Sequence, residues 1–164
     1  MTASSPAVRK VELRRGLRTR RRAVTAEARR TASLRIAEKL LDSVDWPAIR
    51  SLHIYRSVPD WGEVDTEPII RGVRERGPAI EIVSPDLSAD QPIPARDFDL
   101  IVVPVLGFDE DNFRLGLGAG FYDRFLAAQP QATKIGIAYE WARLADGLPH
   151  EPHDVPLDAI ITEA

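Results

Sequence analysis

The chain has 164 residues, 44% of them hydrophobic and 29% charged, with a formal net charge of −3 and no cysteine. That length suits one domain of a globular protein, and no stretch approaches the roughly 20 apolar residues of a membrane span, so no membrane partner is expected. The missing thiols exclude disulfides, thiolate catalysis and thiolate metal sites, and with a polar start lacking an apolar signal core they make the cytoplasm the expected location.

Residues 1–7 are expected to be disordered. Residues 8 to 23 are basic and free of proline, with Leu13 and Leu17 four apart, which predicts a helix with a narrow buried stripe. Thr25 reads as the N-cap of a second helix carrying Ala32, Ile36, Ala37, Leu40, Leu41 and Val44 at helical spacing, ended by Asp45-Trp46-Pro47. Residues 9 to 35 hold 11 of the 22 Lys and Arg residues against Glu12 and Glu27 alone. Such a block serves a solvated face, a phosphorylated ligand or nucleic acid. It contains no aromatic residue for base stacking, and no nucleic-acid partner is expected.

Short apolar runs follow, at 52–55, 79–83, 100–106, 135–139 and 159–161, each read as a strand. Between the first two, a helix has Pro68 in its first turn and Gly77 as its stop; between the third and fourth, another runs over 121–129. Residues 84–97, with three prolines, form a connector. Alternating strands and helices around a doubly apolar central strand give an α/β class, with a parallel sheet covered on both sides.

The chemistry concentrates in Arg114-Leu-Gly-Leu-Gly-Ala-Gly-Phe-Tyr-Asp-Arg124, between the most apolar strand and a helix. Glycines 116, 118 and 120 permit close approach of a ligand, helix N–H groups suit an anion, and Arg114 and Arg124 add charge-assisted bonds. The stretch is neither a Walker A loop nor a complete dinucleotide fingerprint, and a structural turn is the competing reading. Asp123 either caps the helix or, with Asp154, holds a magnesium ion beside phosphates. His150 and His153 lie among prolines without a third soft ligand, which argues against zinc.

Four segments in order, Lys10-Val-Glu-Leu-Arg14, Gly62-Glu-Val-Asp-Thr66, Arg114 to Arg124 and His153-Asp-Val-Pro-Leu-Asp158, resemble the 5-formyltetrahydrofolate cyclo-ligase family over nearly the whole chain. The resemblance implies one cyclo-ligase-like domain over 1–164. It also implies a three-layer, mostly parallel sheet with helices on both faces, of the ribose-5-phosphate isomerase and CoA transferase-like type. The implied reaction is the ATP- and Mg²⁺-dependent closure of 5-formyltetrahydrofolate to 5,10-methenyltetrahydrofolate, with ADP and phosphate released, by a monomer or weak homodimer. Carried over by motif, Lys10, Arg14, Arg114, Leu115, Gly116, Leu117, Gly118, Ala119, Gly120, Phe121 and Tyr122 contact ATP. Glu63, Gly118, Gly120 and Phe121 contact the folate, Tyr122 and Arg124 are catalytic, and Asp123 and Asp154 hold the metal. The chain departs from the family in its short 84–97 connector, where members carry a longer segment lining the folate site, and in Leu117 and Phe121 where Tyr is frequent. The alternative is therefore a divergent paralogue that binds nucleotide but has lost or changed its folate specificity.

Overall fold

The computed structural model describes residues 6–85 and 94–164. Helix α1 spans Pro6–Arg22, so Pro6 and Ala7 are helical rather than disordered, while residues 1–5 lie outside the described residues. Residues 86–93 of the expected connector lie outside them as well.

Arg20, Arg21 and Arg22 end α1, where cations complement the helix dipole. The buried positions of α1 are Lys10, Leu17 and Arg21, while Leu13 is half-buried. The expected apolar stripe is thus a largely cationic one, which only a polar surface opposite can accommodate. Helix α2 (Ala26–Ser43) starts at Thr25, whose hydroxyl accepts from Ala28 N at 3.2 Å, and its buried face carries the expected Ala32, Ile36, Ala37, Leu40 and Leu41. Trp46 then anchors a short 3₁₀ turn through Nε1 to Leu41 O at 2.7 Å.

Strand β1 (Ser51–Ile54) leads through helix α3 (Glu67–Arg76), with Pro68 in its first turn and Gly77 N closing onto Val73 O, to strand β2 (Glu81–Val83). Strand β3 (Leu100–Pro104) is buried at all five positions, as a central strand covered on both faces must be. Beyond it lies an unpredicted antiparallel hairpin, β4 (Gly107–Phe108) and β5 (Arg114–Leu115). Its tip is the polar Asp109–Asn112 segment: Asp109 Oδ1 accepts from Asp111 N and Phe113 N, and Oδ2 from Leu148 N. Two-residue strands leave no periodicity to read, so the hairpin depends on these side-chain bonds. Helix α4 (Phe121–Ala127), strand β6 (Thr133–Ile137) and strand β7 (Ala159–Ile161) complete the chain.

The five main strands form one parallel sheet in the order β2-β1-β3-β6-β7. Helices α2 and α3 cover one face, packing on Leu52, Ile54, Leu100 and Val102; α4 covers the other, packing Phe125 and Leu126 near Ile101 and Val103. This is the expected α/β arrangement. Asp99 Oδ2 accepts from Arg50 N and Ser51 N at 2.8 and 2.9 Å, joining the amino ends of β1 and β3. The chain moves from β1 outward to β2 and then returns to β3 on the opposite side of β1. The sheet's switch point, where ligands of open α/β sheets bind, therefore lies beyond the carboxyl ends of β1 and β3.

Candidate active site

A cleft of about 510 Å³ opens at that switch point. Its floor is the end of β3, at Pro104 and Leu106; its walls are α1, the loop after β1, the glycine-rich segment between β5 and α4, and residues 151–154. Leu17 of α1 packs with Leu106, Leu115 and Leu148, which fixes the helix over the cleft by its one buried apolar side chain.

The cations of α1 recur one helical turn apart, so they share a face and reach across. Lys10 Nζ donates to Asp154 Oδ2 at 2.6 Å and to Glu151 Oε2 at 3.2 Å. Arg14 Nε donates to Gly116 O at 3.0 Å, and a terminal nitrogen of Arg18 to Leu117 O at 2.6 Å. Three of the eleven cations of the basic block are thereby accounted for by bonds inside the protein rather than by a solvated face. Burial and Arg18 push the Arg14 guanidinium down, while Asp154, Asp123 and Glu151 hold it up, so all these charges act in one field.

In the glycine-rich segment, Gly118 (φ 106°) and Gly120 (φ 71°) occupy left-handed conformations that other residues adopt only at a cost. The buried Arg114 donates to Asp123 Oδ1 at 3.2 Å and lies 5.5 Å from the centre of the Tyr122 ring. Arg114 Nε and the Tyr122 hydroxyl are buried without hydrogen-bond partners, and burial pushes the Tyr122 phenol up. Donors left open at a cleft wall suit an anionic or oxygen-rich ligand. Arg124 is exposed at the rim and donates to Ala119 O at 3.3 Å.

Asp123 and Asp154 both line the cleft. Glu151, His153 and Asp154 have ligand atoms within 4.8 Å of one another, a cluster that includes Asp154 but not Asp123. Asp154 is held below its usual range: partial burial opposes this, but the bonds from Lys10 and Glu151 N and the nearby positive charge outweigh it. His150, by contrast, stacks on Phe113 with ring centres 4.1 Å apart, so the two histidines form no pair.

Residues 79–163 match the model of the 5-formyltetrahydrofolate cyclo-ligase family. The chain belongs to this family. It is 27% identical over 177 residues to the 5-formyltetrahydrofolate cyclo-ligase of Escherichia coli strain K12, covering 89% of this chain and 96% of the relative. The fold superimposes on a 5,10-methenyltetrahydrofolate synthetase from Mycoplasma pneumoniae with a TM-score of 0.80 at 29% identity, covering 94% of this chain and 99% of the other. For the Aquifex aeolicus 5,10-methenyltetrahydrofolate synthetase the TM-score is 0.73 at 25% identity, over 94% and 89% of the two chains.

All the site residues carried over from the cyclo-ligase motifs line this one cleft, from Lys10 to Asp154. Sequence reasoning missed two lining residues that the fold adds, Arg21 and Glu151, and Arg18, which holds the cleft's Leu117 through its carbonyl. Their only signal was helical spacing from Lys10 and Arg14, and for Glu151 its place beside the His153-Asp154 motif.

Proposed function

We propose that the chain catalyses the ATP- and Mg²⁺-dependent closure of 5-formyltetrahydrofolate to 5,10-methenyltetrahydrofolate, with release of ADP and phosphate. The observation that carries this reading is the convergence on one cleft of Lys10, Glu63, the 114–124 segment and Asp154, which are dispersed through the chain. Among the described residues, five cationic side chains (Lys10, Arg14, Arg21, Arg114, Arg124) and four carboxylates (Glu63, Asp123, Glu151, Asp154) line it. Such near balance suits a metal–nucleotide complex, whose own charge is partly offset, better than a bare polyphosphate.

Lys10, Arg14 and Arg114 bind the ATP phosphates in this reading, and residues 115 to 122 wrap the nucleotide and the formyl end of the folate. Asp154 and Asp123 fit a hard cation, since both are carboxylates at the phosphate end of the cleft; Glu151 is a third donor beside Asp154. Bound there, Mg²⁺ would neutralise phosphate charge. Glu63, together with the glycines and Phe121, takes the folate, its carboxylate accepting from the amino-pyrimidine edge.

The formyl oxygen attacks the γ-phosphorus of ATP and ADP leaves, which gives an iminium-like phosphate ester. N10 then attacks the formyl carbon, loses its proton, and phosphate departs with the C–O bond. No protein nucleophile is required. The chain's task is to hold formyl oxygen, γ-phosphate and N10 in line and to neutralise the migrating charge, for which backbone amides, Lys10, Arg14, Arg114 and Arg124 are adequate. The Tyr122 hydroxyl, neutral at ordinary pH, is a hydrogen-bond donor and not a base.

The test is the absorbance of the methenyl product, expected to rise only with enzyme, ATP, Mg²⁺ and 5-formyltetrahydrofolate together. ATP binding without product at high enzyme concentration would instead favour a divergent paralogue. Of the described connector residues, Pro85 lines the cleft, which supports a folate wall at that edge.

A further inference from the structure

Three successive carbonyls of one loop are each held by a side chain from a different part of the chain. Arg21 Nε donates to Trp61 O at 2.9 Å, the Tyr139 hydroxyl to Gly62 O at 2.9 Å, and Arg29 Nε to Glu63 O at 2.6 Å. Gly62, with φ 65°, passes so close beneath α1 that a Cβ would stand 2.2 Å from Arg21 O. Val58 N donates to Glu63 Oε2 at 2.8 Å. Among the described residues, Glu63 Oε1 is then left without a hydrogen-bond partner on a side chain only 1% exposed, with Arg21 3.9 Å away. A buried carboxylate oxygen that lines a cleft and lacks a donor is one whose donor a ligand supplies.

We propose that Arg21, assisted by Tyr139 and Arg29, is a positioning residue that fixes the Glu63 carboxylate for the donor edge of the folate, and so sets folate affinity without touching the nucleotide. The inference rests on the cyclo-ligase reading above. It divides α1 into two functions. Lys10 and Arg14 serve the phosphate end, and Arg21, eleven residues beyond Lys10 and about 16 Å along the helix at 1.5 Å per residue, serves the pterin end.

The electrostatics agree with the geometry. Burial pushes the Glu63 carboxyl up, and the Val58 N–H, then Arg21, then Arg29 pull against it. The other titratable groups facing it are phenols: Tyr55 beyond β1, Tyr122 of α4 and Tyr139 beyond β6. All three are pushed up by burial and stay neutral, so among the described residues Arg21 and Arg29 supply the positive charge. Without Arg21 the carboxyl rises further and takes up a proton in a range where the unaltered chain keeps it ionised. A protonated carboxyl accepts from the donor edge less well.

The experiment titrates 5-formyltetrahydrofolate and ATP separately by tryptophan fluorescence, with Trp61 in the cleft wall as reporter, across the neutral pH range. Arg21→Met is expected to weaken folate binding by roughly tenfold or more while ATP binding stays within about twofold, because the lost partner is charged and local. The folate defect should shrink as pH rises, and Arg21→Lys should restore the pH profile. Tyr139→Phe, which removes a neutral bond, should weaken folate by about threefold to tenfold with no new pH dependence. Equal losses for folate and ATP, or a folate affinity that Arg21→Met does not change, would overturn the proposal. If Arg21→Met fails to fold, unchanged folate affinity in both Tyr139→Phe and Arg29→Lys overturns it. No folate binding by the unaltered chain is a distinct result, which sinks the cyclo-ligase reading and this inference with it.

Discussion

Lys10 Nζ and Asp154 Oδ2, 144 positions apart in the chain, meet at 2.6 Å on the wall of the cleft. A cation proposed for phosphate and a carboxylate proposed for metal thus neutralise each other. Bringing metal and nucleotide in together exchanges this pair for two new ones, whereas either alone leaves a partner behind. Lys10→Met is expected to raise the KM for ATP by about tenfold to a hundredfold, as loss of a charge-assisted contact does. Asp154→Asn should reduce the dependence of ATP binding on Mg²⁺. Calorimetric titration of ATP with and without Mg²⁺ checks both.

Tyr122→Phe separates a ligand-binding role from a structural one. The hydroxyl has no partner among the described residues, so its removal should leave the Tm unchanged or slightly raised. Activity is expected to fall by about tenfold, since a hydrogen bond made only with bound substrate is lost. Thermal melting and steady-state kinetics on the same preparation measure the two effects.

His53, buried at the middle of β1, has no hydrogen-bond partner at either ring nitrogen and lies among Phe98, Phe125 and Tyr122. Burial lowers its pKa from 6.5 to about 4. The unfolded chain then binds a proton that the folded one refuses. Stability is full above about pH 6.5 and declines as pH falls towards 4, by about 3 kcal/mol at 1.36 kcal/mol per unit. In His53→Leu that part of the acid sensitivity should vanish, so the Tm difference between pH 7 and pH 5 should narrow.

Two glycines should respond oppositely to alanine. Gly62→Ala demands a left-handed conformation and a Cβ 2.2 Å from Arg21 O, and is expected to cost about 2 kcal/mol or more and to weaken folate binding. Gly16, inside α1, would place its Cβ in open space, so Gly16→Ala should stabilise by about 0.5–1 kcal/mol. Chemical denaturation of both variants gives the comparison.

By itself the sequence determined the four helices and the five strands of the main sheet, the cap at Thr25, the doubly buried β3, and the four motifs that resemble the cyclo-ligases. These rest on local preferences and short spacings, which a linear reading contains. Tertiary structure decided what the basic helix is for. Arg21 looks like any surface arginine by hydropathy, yet it is buried because Trp61 O, forty residues on, accepts from its Nε and the Glu63 carboxylate 3.9 Å away balances its charge. The β4–β5 hairpin likewise depends on Asp109 bonding backbone near and far, up to Leu148. In both cases the cost of burying a polar group is cancelled by a partner distant in sequence, and no local pattern encodes that partner.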